Sequence, residues 1–334
     1  MSFAGRIIRS KRSLSDPWRS GPFTNMLVTP KQVAQAIGVS ESSLKRWCDR
    51  GLLTAVRTAG GHRRLAIDDV VQFLRQSGQH LLRPELLGLP SNTGQGTTVI
   101  ERARDQIREA LIAGDEEQCR RIVFDLYLAG QSACDICDRV LAPALHDIGE
   151  RWQCGELIIY RERRACETGL KMLHELRMAM RTPNAEAPTA VGGTLECDPY
   201  RLPTAMIEVV LRELGWQATS LGTQLPATTL ADAVRDNRPR LLWVSVSCIE
   251  SIPAFLDEYA GLYRAARESG AAVVVGGRAR TAEIRQQMTY AAYCDTLRHL
   301  VTFAASLTSS VEQHNGFNMS DGSDVGQVPK LTSK

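Results

Sequence analysis

No apolar run in this chain approaches the ~20 residues that a helix needs to cross a bilayer, which excludes a membrane-spanning helix. The opening segment, MSFAGRIIRSKRSLSDPWRS, is basic and Ser-rich but lacks the apolar core of a secretory signal. The 9 Cys fall at irregular spacings, a pattern of reduced cytoplasmic thiols rather than of a disulfide framework. There is no G-x-S-x-G elbow, no HExxH and no P-loop, so the commonest hydrolase, zinc-protease and nucleotide-binding signatures are missing. No segment repeats. With 43% hydrophobic and 23% charged residues the composition is that of a folded chain, which excludes a wholly disordered or fibrous one.

Net charge is also scarce, at +3, but it is unevenly spread. Residues 1–90 hold 14 Lys+Arg against 6 Asp+Glu, and the remaining 244 residues hold 26 against 31. A basic end on an acidic body points to a polyanion partner at that end.

Punctuation divides the chain. Residues 1–25 read as a flexible basic arm and 26–78 as a compact basic unit. Residues 79–97 are rich in Pro, Gly, Ser and Thr and read as a linker. Residues 98–181 carry apolar residues at i, i+3, i+4 spacing, as in Ile122, Val123, Leu126 and Tyr127. They predict four helices, near 98–113, 116–129, 133–153 and 157–181, joined by short turns as an antiparallel bundle. After a second linker at 182–189 the pattern alternates. Apolar runs at 189–195, 217–222, 241–247, 271–275 and 292–296 are separated by helical segments near 203–214, 227–237 and 252–268, with a closing helix near 298–312. Residues 189–313 therefore predict a five-stranded, parallel, doubly wound domain. Residues 314–334 read as a disordered tail. The expected fold is multidomain, combining an α and winged helix-turn-helix part with an α/β part.

The basic unit has a tight local logic. Thr29 and Pro30 open a first helix, Gly38 turns the chain, and Ser40 caps a second helix over Glu41–Asp49. Leu44 and Trp47 fall on its inner face, leaving Ser42, Ser43, Lys45 and Arg46 outside. This is helix-turn-helix spacing, in which the second helix enters the major groove. A hairpin follows, with Arg57, Gly60, Gly61, His62, Arg63 and Arg64, whose glycines allow close backbone approach and whose cations suit phosphates. These ten polar and glycine residues are the candidate DNA-binding set, with Arg46, Lys45 and Ser43 as groove contacts. The SLKRW…GLL and TAGGHRR stretches of residues 26–76 resemble the MerR family of transcription regulators. That resemblance implies a double-stranded operator and a dimeric or higher homo-oligomer, with RNA polymerase or another regulator as a further candidate partner.

The body extends the resemblance. APALHDIGERW at 142–152, Trp152 followed at the family's spacing by Glu162, LG at 221–222 with Pro226, Ser247, and the pair Gly276-Gly277 resemble the cobalamin-binding module of CarH/LitR-type regulators. The resemblance places an effector pocket among Trp152, Glu162, Arg163, Asp198, Tyr200, Ser247, Gly276 and Gly277. It also implies two cobalt-ligating His positions, and this sequence fills them with Tyr200 and Arg163. Pro203 stands where the family has Gly. A phenol is a poor neutral ligand, with a reference pKa of about 10, and a guanidinium stays protonated. Three readings remain open: cobalamin held without a protein imidazole, a different ligand such as another tetrapyrrole or a metabolite, or a body that only dimerises and meets partners. The cofactor is thus unknown, no metal site is assigned, and no enzymatic activity is expected. The rival reading is a corrinoid- or tetrapyrrole-binding carrier. Cys134-x-x-Cys137, His146 and His174 read more simply as structural residues than as a thiol switch or ligands.

Overall fold

The computed structural model of the protein describes residues 27–58, 60–79, 81–89, 100–279 and 282–316. Expectations placed on the arm, on linker residues 80 and 90–97, and on the tail beyond 316 lie outside these residues. Three parts follow one another along the chain, mixing α with α/β structure.

The N-terminal part is β1 (Leu27–Val28), α1 (Pro30–Ile37), α2 (Glu41–Asp49), β2 (Ala55–Arg57), β3 (Arg63–Ala66) and α3 (Ile67–Ser77). Its sheet has the order β1-β3-β2, all antiparallel. Local chemistry sets the helix starts. The Thr29 hydroxyl accepts from Gln32 N at 3.1 Å, and Gln32 Oε1 accepts from Thr29 N at 2.9 Å, a reciprocal cap. Gly38 takes φ +79°, which closes α1 and sends the chain into α2. Val33, Leu44, Leu53, Leu65, Val70 and Leu74 form the small core, with Trp47 against Phe73 at 5.0 Å.

The stretch read as a linker is packed over its described part. Pro84–Leu87 forms a 3-10 turn, Leu81, Leu87 and Leu89 are buried, and Leu82 N and Arg83 N donate to Ala36 O. Its Pro and Gly content suggested a connector, but its leucines have apolar surface to bury, and that decides its place.

The bundle comprises α4 (Ile100–Ala113), α5 (Glu116–Leu128), α6 (Ala133–Ile136), α7 (Ala142–Gln153) and α8 (Ile159–Met178). The helix predicted over 133–153 is not continuous α-helix. A π turn, Cys137–Leu141, separates α6 from α7, with Ala142 N bonded to Cys137 O. Pro143, which has no N–H to donate, follows at once. Cys134 and Cys137 are buried there. Burial pushes the Cys134 thiol up to about 12 and raises Cys137 as well, so both sit as small apolar core residues.

The α/β part has strands β4 (Thr189–Gly193), β5 (Gln217–Ser220), β6 (Leu241–Ser245), β7 (Ala272–Gly276) and β8 (Ala292–Cys294), paired in parallel in the order β5-β4-β6-β7-β8. The helices are α9 (Arg201–Glu213), α10 (Ala227–Asn237), α11 (Ile252–Glu268), the short α12 (Ala282–Gln286) and α13 (Leu297–Gly316). The last runs three residues past the tail boundary read at 314. Buried residues of α10 and α11 cover one face of the sheet, and those of α9 and α13 cover the other. Trp243 is buried on the α9 side. Its indole N–H donates to Thr204 Oγ1 at 2.9 Å, and a Cβ at Gly192 would lie 2.2 Å from its ring.

One continuous apolar cluster runs from the N-terminal part through the bundle to Met206, Val209 and Val210 of α9. Asp138, in the π turn, ties the bundle to α13 on the sheet face that α9 also covers, accepting from Leu297 N and Arg298 N at 3.1 Å each. This caps α13 from another element.

Candidate nucleic-acid interface and sheet-edge site

The second helix of the N-terminal part presents its polar face outward. Ser40 caps it, accepting from Ser43 N at 3.1 Å, and its hydroxyl lies 2.8 Å from Ser42 Oγ and 3.0 Å from Ser43 Oγ. Ser42, Lys45 and Arg46 are exposed and Ser43 is half-buried. Arg46 Nη2 donates to Ser43 Oγ at 3.3 Å, so its guanidinium is held along the helix. Leu44 on the opposite side is fully buried and locks the rotation of the helix.

The hairpin β2–β3 forms a wing. Thr58 N donates to His62 O at 2.9 Å, Gly61 N donates to Thr58 O at 2.8 Å, and Gly61 takes φ +77° with open space around it. Gly60 and His62 are exposed at the tip, and Arg57 is exposed on β2 opposite Arg63. Lys45, His62, Arg63 and Arg64 converge with Lys31 and Glu41 on an open cavity of about 350 Å³. Lys31 was not in the sequence-based set. Its signal was its place in the first turn of α1, where backbone N–H groups point outward and favour anions. Arg63 has a second task. Its Nη2 lies 2.8 Å from Asp49 Oδ1 and ties the wing to the end of α2. Arg64 Nη1 donates to Arg63 O at 3.4 Å.

The carboxyl edge of the parallel sheet is organised differently. Asp198 is buried, and its carboxylate accepts from Ser247 N at 2.5 Å, Tyr200 N at 3.1 Å and Cys248 N at 3.3 Å. Burial pushes its pKa up, and these three N–H groups pull it back. Thr194 Oγ1 donates to Asp198 O at 2.6 Å. Tyr200 is half exposed, at 50%, where α9 begins. Gly277 takes φ +110°, and a Cβ there would lie 2.3 Å from Val246 O, so only glycine fits.

On the bundle side Trp152 is half-buried, and Glu162 accepts from Cys166 Sγ at 3.2 Å. Arg163 is 68% exposed, with Nε 3.4 Å from Glu162 Oε2. Among the described residues, neither Glu162 nor Arg163 has a hydrogen bond or ion pair to the α/β part. Other residues make that link. Arg278 Nη1 meets His146 Nδ1 at 2.5 Å while His146 Nε2 lies 3.1 Å from Glu150 Oε1. Leu202 lies against Gly169 and Leu145, since a Cβ at Gly169 would be 3.2 Å from Leu202 Cδ2. The sequence signal for Arg278 was its position directly after the two glycines at the end of β7. His146 carried none that separated it from a structural histidine. Among the described residues no group of three or more His, Cys, Asp or Glu is arranged to hold a metal ion.

Residues 27–78 match the helix-turn-helix domain family, and residues 103–176 match the B12 binding domain family. The chain is 31% identical over 266 residues to the HTH-type transcriptional repressor CarH of Myxococcus xanthus, covering 74% of this chain and 87% of that protein. It belongs to the CarH family of HTH-type transcription regulators. The CarA repressor of the same organism is 24% identical over 231 residues, or 66% of this chain and 76% of that protein. The body shares its fold with the monomethylamine corrinoid protein of Methanosarcina barkeri, at a TM-score of 0.50 and 16% identity, over 63% of this chain and 100% of that one. As a CarH-family regulator the protein is DNA-binding, and its body is of the cobalamin-binding type.

Proposed function

We propose that this regulator reads double-stranded operator DNA as a homo-oligomer, a dimer or tetramer, with α2 in the major groove and the wing on the backbone. The observation that carries the reading is the convergence of Lys31, Lys45, His62 and Arg64 on one open face beside the N-terminus of α2. Arg46, aligned by Ser43, is the base reader, with Ser42 and Ser43 beside it. Lys45, read from the sequence as a groove contact, shares the open face with the wing and serves the phosphates with Arg57, His62 and Arg64. Gly60 and Gly61 let the wing approach, and Arg63 braces the wing while facing the backbone. The site of action is the cytoplasm, where the DNA is, and no described helix is long and apolar enough to cross a membrane. The role is regulatory rather than catalytic, and RNA polymerase or another regulator is the protein partner it would address. Binding to duplexes carrying a selected site should weaken steeply with salt, each neutralised phosphate contributing a slope near −0.9 in log–log terms. Salt-independent binding, or none, would sink the reading.

In the body we propose that any effector sits between Trp152/Glu162 and Tyr200/Ser247/Gly276/Gly277, and that cobalt is not held there by a protein imidazole. Three observations support this. The Asp198 carboxylate is occupied by three backbone N–H groups, the loop offers a half-exposed Tyr200 rather than a histidine, and Arg163 lies in solvent beside Glu162. The residues present do not fit a His-ligated cobalamin. Gel filtration of the protein with adenosylcobalamin in the dark tests this. Corrin absorbance that elutes apart from the protein, or co-elutes with a spectrum lacking imidazole-ligated cobalt, is expected, and co-elution at one equivalent with a His-ligated spectrum overturns it.

A further inference from the structure

Arg75, in the last turn of α3, is the point where all three parts of the molecule meet. Its Nη1 lies 3.0 Å from Glu213 Oε1 at the end of α9, and its Nη2 donates to Gln131 O at 3.1 Å in the turn between α5 and α6. Its guanidinium lies 3.8 Å over the Tyr127 ring of α5. Glu213 uses its other oxygen to accept from Ala133 N at 2.6 Å, at the start of α6. The two side chains are 14% and 16% exposed. A pair this buried recovers little net stability from its attraction, because both ions lose water. What it imposes is geometry, since a planar fork with partners on three sides holds one orientation.

The surroundings reinforce the joint. Arg181 Nη2 lies 3.1 Å from Asp69 Oδ1 of α3, and Arg120 Nη2 donates to Gly88 O at 2.7 Å. The outward residues of α2 are exposed, so this joint leaves the DNA-reading face clear.

We propose that Arg75 and Glu213 are positioning residues for DNA reading. They fix the angle of the helix-turn-helix unit on the body, so that the body sets the separation of two recognition helices in an oligomer and hence the half-site spacing that is read. This rests on the operator-binding, oligomeric reading above. A plain stabilising ion pair would instead affect folding without affecting spacing.

The test takes the full-length protein and Glu213→Gln, with Arg75→Lys as a milder variant that keeps the charge and loses the fork. A half-site is first selected by the wild type from random duplexes. It is then offered alone and as inverted repeats whose separation changes one base pair at a time. The wild type should lose about tenfold in affinity as the repeats rotate half a helical turn apart. Glu213→Gln should bind the lone half-site within about twofold of wild type yet vary less than about threefold across spacings, with Arg75→Lys in between. Hydrogen exchange on the free protein gives a second readout. Exchange should quicken at residues 67–79 and 81–89 and stay unchanged in α2. An unchanged spacing profile in Glu213→Gln overturns the proposal, and so does an equal loss on the lone half-site or faster exchange spread through α1 and α2. If the wild type selects no duplex, the DNA reading itself has failed. If it binds a half-site without any spacing preference, the oligomeric reading has failed, and this proposal with it.

Discussion

The wing and the sheet edge are built from similar parts, a glycine-bearing turn beside the start of a helix, yet they end in opposite electrostatic states. At the wing Lys45 and His62 are exposed, and neither has an ion-pair partner among the described residues. At the sheet edge the buried Asp198 carboxylate is consumed by the chain's own N–H groups. The two glycines differ in the same way. Gly61 stands in open space, whereas Gly277 is pressed against the Val246 carbonyl. A glycine turn therefore marks a binding surface only where donors and space are left over. Where the protein fills both, it marks a packing point.

The sharpest break in this comparison is the paired substitution of the two glycines. Gly277→Ala adds a backbone clash to left-handed strain and should cost about 3 kcal/mol or more, while Gly61→Ala adds only the strain, roughly 1 kcal/mol. Denaturant unfolding measures both, and equal costs would erase the contrast. Asp198→Asn leaves one carbonyl oxygen where the carboxylate has two, so its NH2 must face either Tyr200 N or the Ser247 and Cys248 donors. It should cost about 2 kcal/mol of stability, whereas the same measurement on Lys45→Ala should show almost nothing. On the DNA side, Arg46→Ala should cost about 1–3 kcal/mol on a selected operator and little on random DNA, while Lys45→Ala weakens both alike. Fluorescence anisotropy at fixed salt separates the two. Asp49→Asn, which frees Arg63 at an exposed pair, should change stability by under about 1 kcal/mol. A last contrast, visible only at high pH, concerns the buried thiols. Burial holds the Cys119 thiol up to about 12 against an ordinary 9.0. The unfolded chain therefore releases that proton first, and stability should fall as pH climbs from about 9 to about 12. Cys119→Ala should flatten that limb of the pH–stability curve.

Much of the helix-turn-helix was legible because its punctuation is local: Thr29, Gly38 and Ser40 each act on residues within one turn. The parallel sheet was legible because strands buried on both faces are continuous apolar runs, as in Leu241–Ser245. What escaped was set by distant partners. Leu81, Leu87 and Leu89 sit in a Pro- and Gly-bearing stretch, and only packing with distant elements, α1 and α5 among them, makes them core. The π turn has no composition of its own. Arg63 read as a free cation because Asp49 lies 14 positions away in sequence. The link of Arg278 to His146 joins residues 132 apart, so no window along the chain brings them together.

The π turn at Cys137–Leu141 also gives the bundle slack. An α-helix advances about 100° per residue, so deleting one residue elsewhere in α6 or α7 would swing Trp152 and Glu150 about a quarter-turn around the axis. A deletion within the π turn is different, because a π turn is an α-helix holding one residue too many. Removing that residue heals the helix and leaves α7 in phase. Asp138, which caps α13 by accepting from Leu297 N and Arg298 N, lies inside this same turn. The molecule thus carries a place where chain length can change without turning the bundle, and the α/β part is anchored at that same place through Asp138.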